Sequence, residues 1–164
     1  MSNSALIDIV IGVAVVGLLL ARQMRARPVR EGSATRLSVI LGIIGIIELS
    51  NAAKGHSVGT APVAWIVASL VVGGGMGAAR AFSARIWRLQ DGSAMSQGTP
   101  VTAVLWVVSL AAHLAMEVGI DHSTKIVGLG ASSLLLYLAV TLGVQREVIR
   151  RRAGMPALGT GWRP

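Results

Sequence analysis

The chain has 164 residues, 53% hydrophobic and only 13% charged, and a mean hydropathy of +0.68. A soluble domain carries about 25% charged residues, so this composition excludes an ordinary soluble fold and points to a bilayer. The complete lack of cysteine excludes disulfides, thiolate metal sites and CxxC redox chemistry supplied by this chain.

Five apolar segments follow in chain order: residues 5–21, 37–53, 62–79, 101–120 and 126–144. Each approaches the ~20 residues needed to cross a ~30 Å hydrocarbon core. Lipid leaves the backbone nothing to bond with outside its own segment, so helices are the expected form. In the first segment, "MSNSALIDIVIGVAVVGLLLARQMRAR", no basic residue precedes the apolar core and "LLLARQ" is a poor cleavage site. It is therefore expected to be retained as a membrane helix and not removed as a signal peptide. The third segment opens with Pro62 and the fourth just after Pro100, both suited to a first helical turn. The expected fold is an all-α membrane bundle of five transmembrane helices over residues 1–152. A flexible cytoplasmic tail, "AGMPALGTGWRP", follows over 153–164.

The connections sort by charge. Thirteen arginines, among them Arg27, Arg30, Arg80, Arg85 and Arg88, fall on one side of the five spans, and Lys54 and Lys125 on the other. The positive-inside rule then places the N-terminus outside and the C-terminus in the cytoplasm. The net charge of +8 thus expresses topology. Nucleic acid is not an expected partner, because no basic patch is interleaved with stacking aromatics. The expected partner is the lipid bilayer, with Arg27, Arg30, Arg80, Arg85 and Arg88 as candidate contacts for anionic headgroups. A homo-oligomer or a membrane-protein partner is also open.

Gly73 and Gly77, in "GGGMG", are a small-xxx-small pair expected to face another helix. No Lys-Ser/Thr follows, so the run is not a phosphate loop. Gly42 and Gly45, and Gly128, Ser132 and Ser133, suggest further tight contacts. "WRLQDGSAMSQGTP" holds an Asp91-Gly92 turn signal and reads as a connecting hairpin, an interfacial loop, or a lid over an anionic lipid.

Three short motifs, "RARPVR" (Arg25 to Arg30), "GGGMGAAR" (Gly73 to Arg80) and "IWRLQDGSAMSQGTP" (Ile86 to Pro100) leading into Leu105-Trp106, carry a resemblance. Over roughly residues 20–110 the chain resembles the CcdC-like family of small multi-pass bacterial membrane proteins. The namesake of that family is associated with cytochrome c maturation. The resemblance implies a bacterial inner-membrane protein with no known catalytic residue set, so no site residue carries over.

The candidate chemistry sits in "AHLAMEVGIDH". His113 and Glu117 are four apart and share a helix face with Trp106 and Ser109. At 1.5 Å per residue they lie about 12 and 6 Å below Asp121, and Glu48 about 9 Å below Lys54. Asp8 lies at a similar outer level. His113, Glu117, Glu48 and Asp8 are therefore expected to line one outward polar pocket, since ionisable groups in a bilayer face the bundle and pair. That pocket reads as a structural His113–Glu117 pair, with Glu48 bonded to Asn51 or a neighbouring helix, fixing helix register, as a proton, ion or small-ligand site, or as a metal or haem site. The i, i+4 spacing alone does not name a cofactor. Hydrolysis lacks a motif: HEXXH is absent, and Ser57 and Ser123 lie in no nucleophile signature. The expected function is that of a small non-enzymatic membrane protein, an accessory in membrane or cytochrome biogenesis. The alternatives are a transport or ligand-binding protein using the outward pocket and a membrane enzyme acting on an anionic lipid-linked substrate.

Overall fold

The computed structural model describes residues 24–29, 33–56, 59–124 and 129–154, with the single positions 17 and 21. The first apolar segment otherwise lies outside the described residues, as do Asp8, Arg30 and residues 155–164. The helices are α1 (Ser33–Ala53), α2 (Thr60–Ser83), α3 (Pro100–Thr124), the single turn α4 (Leu129–Ser132) and α5 (Leu134–Arg152). Four stretches, Arg36–Ala53, Thr60–Ser83, Pro100–Ser123 and Leu129–Arg152, are long and apolar enough to cross a membrane.

The polarity of the bundle is inverted relative to a soluble protein. Its exposed side chains include Ile40, Ile43, Ile46 and Ile47 on α1, Val67 and Val71 on α2, and Val104, Val107 and Val118 on α3. Its buried ones include Ser69, Arg80, Thr102, Ser109, His113, Ser133 and Thr141. An oily surface around a polar interior is stable only where the surroundings are themselves apolar.

Helix α5 is the hub, packing against α1 on one side and α2 on the other, while α3 packs on α2 and meets α4. Missing side chains set these approaches. A β-carbon at Gly45 would lie 2.6 Å from the Leu136 backbone nitrogen. One at Gly77 would run into the Thr141 carbonyl oxygen. Gly73 and Gly77 are both buried against α5, as their spacing leads one to expect.

The connections depart from the all-α expectation. Arg27–Pro28 (β1), Arg85–Arg88 (β2) and Ala94–Gln97 (β3) form an antiparallel sheet in the order β1-β3-β2. Pro28, which has no N–H to donate, sits on an edge strand, where it is tolerated. The β2–β3 hairpin turns at Asp91-Gly92. Gly92 takes φ +80°, and Asp91 Oδ1 accepts from both the Ser93 hydroxyl (2.7 Å) and the Ser93 N–H (2.9 Å). Those bonds hold the Asp91 carboxyl below its ordinary range.

Helix α3 begins at Pro100 behind a reciprocal cap. The Thr102 N–H donates to the Thr99 hydroxyl (3.3 Å) and the Thr99 N–H to the Thr102 hydroxyl (3.0 Å). The last helix also differs from its apolar segment, 126–144. It breaks at Ser133 and runs on through the arginines to Arg152. Glu147 sustains the extension by pairing with Arg150 (2.7 Å) and Arg151 (2.7 Å) one turn on. The helical unit therefore carries through Ala153, which is buried.

Gly77→Leu is expected to destabilise the protein by about 1–3 kcal/mol or more, because overpacking there meets backbone. Thermal unfolding in detergent measures it. A leucine variant as stable as the parent would mean that α2 and α5 do not approach at this point.

Candidate functional site

The inward stripe of α3 is Thr102, Trp106, Ser109, His113 and Ile120, all buried and spaced at helical periodicity. Two neighbouring helices meet it. Ser69 Oγ on α2 lies 3.2 Å from His113 Nδ1. From α5, the Tyr137 hydroxyl donates to the Ser109 carbonyl (2.8 Å) and sits 2.7 Å from the Ser109 hydroxyl. The His113 and Tyr137 rings lie 4.5 Å apart between centroids, tilted by 32°. Thr141, one turn beyond Tyr137, returns its hydroxyl to the Tyr137 carbonyl (2.7 Å). The result is a polar layer through three helices, in which His113 Nε2 is buried without a hydrogen-bond partner among the described residues.

This layer is not the pocket expected from the sequence. His113 and Glu117 share a face of α3, but the bond His113 makes is to Ser69. Glu117 lies instead over α4, where a β-carbon at Gly130 would be 2.5 Å from its Cγ. Asp121 Oδ1 accepts the Gly130 N–H (2.8 Å), docking α4 on the end of α3. Glu48 is exposed on α1, a helix that packs on α5 and α4. Gly45 is the buried position there, and the inward stripe continues through Leu49, so Glu48 is turned off the packing face. The Asn51 side chain, a candidate partner for Glu48, accepts instead from Lys54 (2.7 Å). Asp8 is outside the described residues. Among the described residues no group of three His, Asp or Glu is placed to hold a metal ion.

The arginines named as headgroup contacts also divide. Arg27, Arg85 and Arg88 are exposed on the sheet. Arg80 is the exception, for it is fully buried with its guanidinium 4.0 Å over the Trp106 ring. It lies three residues before α2 ends, on the stripe of Gly73 and Gly77, and therefore points inward. A desolvated cation–π contact is worth about 2 kcal/mol, while its three nitrogens are buried without hydrogen-bond acceptors among the described residues. Arg152 ties the end of α5 to the end of α2, donating to the carbonyls of Ala81, Phe82 (3.3 Å) and Ala84 (3.2 Å). Arg88 donates to the Ala153 carbonyl (2.8 Å).

Between sheet and helices lies a cavity of about 230 Å³. Arg25, Arg27 and Arg146 line it with Ser38, Ser96, Gln97, Thr102 and Gln145, and no carboxylate is among its described lining residues. A groove of about 350 Å³ between α1 and α5 adjoins it and shares Ser38 and Arg146 with it. In the sequence, Arg25 and Arg146 count only toward the charge bias, and Gln145 is not singled out. The signal available was Gln145, a polar side chain beside an arginine where the apolar segment gives out. The chain matches no family model, no curated protein and no solved structure.

Two substitutions separate bonding from packing in the polar layer. Tyr137→Phe keeps the ring and loses the hydroxyl, and is expected to cost about 0.6–1.7 kcal/mol, the range for hydrogen bonds between membrane helices. Arg80→Met replaces a buried charge with an apolar chain of similar length. It is expected to be neutral or stabilising, by up to about 4 kcal/mol. Denaturation in mixed micelles reads both, and a large loss for Arg80→Met would mean that the guanidinium itself holds α2 to α3.

Proposed function

We propose that this chain is a small non-enzymatic protein of a bacterial inner membrane that acts by binding an anionic group at its arginine-rich end. The observation that carries this reading is the cavity under the sheet, where Arg25, Arg27 and Arg146 converge and the described lining residues include no carboxylate. Guanidinium groups are the side chains best shaped to grip phosphate or carboxylate oxygens. The resemblance to the CcdC-like family supports an accessory role in membrane or cytochrome biogenesis and supplies no catalytic residues.

The arginine-rich end faces the cytoplasm, with the N-terminus outside and five spans. The charge bias supports this orientation. The described arginines of the sheet and of the α5 end, Arg85, Arg88 and Arg152, gather at the end where α2 stops, and Lys54 and His122 lie at the ends of α1 and α3. An enzyme acting on an anionic lipid-linked substrate would need an acid or base beside these arginines. Glu147, which borders the adjoining groove, is already held by Arg150 and Arg151. His113 and Glu117 lie 11 and 15 residues along α3 from Thr102 of the cavity wall, or about 16 and 22 Å at the helical rise. The favoured reading is therefore binding.

Because the chain has no native cysteine, single cysteines report topology cleanly. Ser93→Cys is expected to resist an impermeant thiol reagent added from outside and Lys54→Cys to react. The opposite pattern would reverse the orientation. In neutral detergent, glycerol phosphate is expected to bind saturably, more weakly as salt rises, and to lose most of its affinity in the Arg25→Gln/Arg27→Gln double variant. No binding by the parent, or equal binding by both proteins, rejects the anion site.

A further inference from the structure

We infer that the anionic group is the phosphate of a glycerophospholipid, one acyl chain of which lies in the groove between α1 and α5. This rests on reading the arginine-lined cavity as an anion site, and adds that the site opens into a second compartment of opposite character. Ser38 and Arg146 line both spaces, so a single molecule can occupy the two.

The two compartments match the two ends of a lipid. On the cavity side, three arginines suit a phosphate. Gln145 lines the same space, and its side-chain carbonyl oxygen is buried with no hydrogen-bond partner among the described residues. A hydroxylated headgroup such as glycerol supplies the donor that this oxygen lacks. On the groove side the lining turns apolar and small: Gly42 from α1, and Leu136, Ala139, Val140 and Gly143 from α5. Glu147 and Arg150 also border the groove, but the Glu147 carboxylate is already held by Arg150 and Arg151, so it does not present an open negative charge to the phosphate.

The length fits as well. From Arg146 to Leu136 is ten residues of helix, or about 15 Å at 1.5 Å per residue, half of a ~30 Å hydrocarbon core and hence one leaflet. An arginine at the headgroup level and an apolar groove one leaflet deep are the geometry of a bound phospholipid, whereas a free phosphate would use only the cavity. Glycine keeps the groove open. A β-carbon at Gly143 would stand 3.8 Å from Ser38 Cβ, an ordinary contact, so alanine is accommodated there while a longer side chain must extend into the groove.

The test uses the full chain, moved from detergent into vesicles of phosphatidylcholine with or without phosphatidylglycerol, and reads retained lipid by native mass spectrometry. The parent is expected to retain phosphatidylglycerol over phosphatidylcholine. Arg25→Gln should lower that retention about fivefold, the effect of removing one basic residue from a lipid headgroup. Gly143→Leu should abolish retention while leaving glycerol phosphate binding intact, and Gly143→Ala should retain lipid like the parent. If Gly143→Leu does not fold, Val140→Trp fills the same groove. Equal retention of the two lipids by the parent, or undiminished phosphatidylglycerol in a folded groove-filling variant, overturns the lipid assignment. If glycerol phosphate still binds in that case, the anion site stands without it. If neither probe binds, both readings fall together.

Discussion

The described bundle depends on what Gly73 leaves out. A β-carbon there would sit 2.7 Å from Tyr137 Cε2 and 2.9 Å from Thr141 Oγ1, so the Tyr137 ring passes close across α2 only because position 73 has no side chain. From that position the phenol reaches the Ser109 carbonyl on α3 and lies against the His113 ring. One absent side chain thus lets a residue of the hub helix bond to a helix beyond its immediate neighbour. In lipid this matters more than in water, because burying apolar surface between helices gains little when the alternative surroundings are also apolar. Close packing and inter-helix hydrogen bonds must supply the specificity instead.

The ends of the helices are held by a different chemistry. Helix α2 finishes with carbonyl groups that its own backbone cannot satisfy, and Arg152 of α5 donates to three of them. Arg88 of the sheet donates in turn to the carbonyl of Ala153. Sheet, α2 and α5 are therefore joined at one end by cations placed where helix dipoles favour them. At the other end, Asp121 of α3 accepts the N–H of Gly130 and so fixes the start of α4.

Much of the helical plan was legible in the residues because hydropathy reports the solvent directly. Pro100 marked the start of α3, the Asp91-Gly92 signal marked a hairpin, and the spacing of Trp106, Ser109 and His113 marked an inward face. What could not be read was which inward faces meet. Depth along the helices placed Glu48 level with His113 and Glu117, but depth says nothing of rotation, and a small angular offset from Gly45 leaves Glu48 exposed. Arg80 failed for a related reason. As the first arginine after an apolar run it resembles a headgroup contact, yet its helix continues for three residues more and keeps it on the Gly73–Gly77 face. The strand pairing of β1 with β3 joins segments far apart in the chain, and no local pattern announces it.

The same limit explains why the arginine-lined cavity was invisible to hydropathy. Had the last helix ended at residue 144 with its apolar segment, Gln145, Arg146 and Ile149 would have been loop residues with no fixed relation to the sheet. The Glu147 pairs with Arg150 and Arg151, each worth about 0.3–0.5 kcal/mol on a helix surface, favour another two turns, and Arg152 anchors their end. That extension turns three residues of a charged run into one wall of a cavity whose other wall is β1 and β3. Helix α5 consequently carries two polar regions of unlike kind. Tyr137 and Thr141, deep in the bundle, make their bonds to the protein. Gln145 and Arg146, one turn farther along, border open volume at the arginine-rich end. The first region holds the helices together, and the second is the place where the fold leaves room for something else.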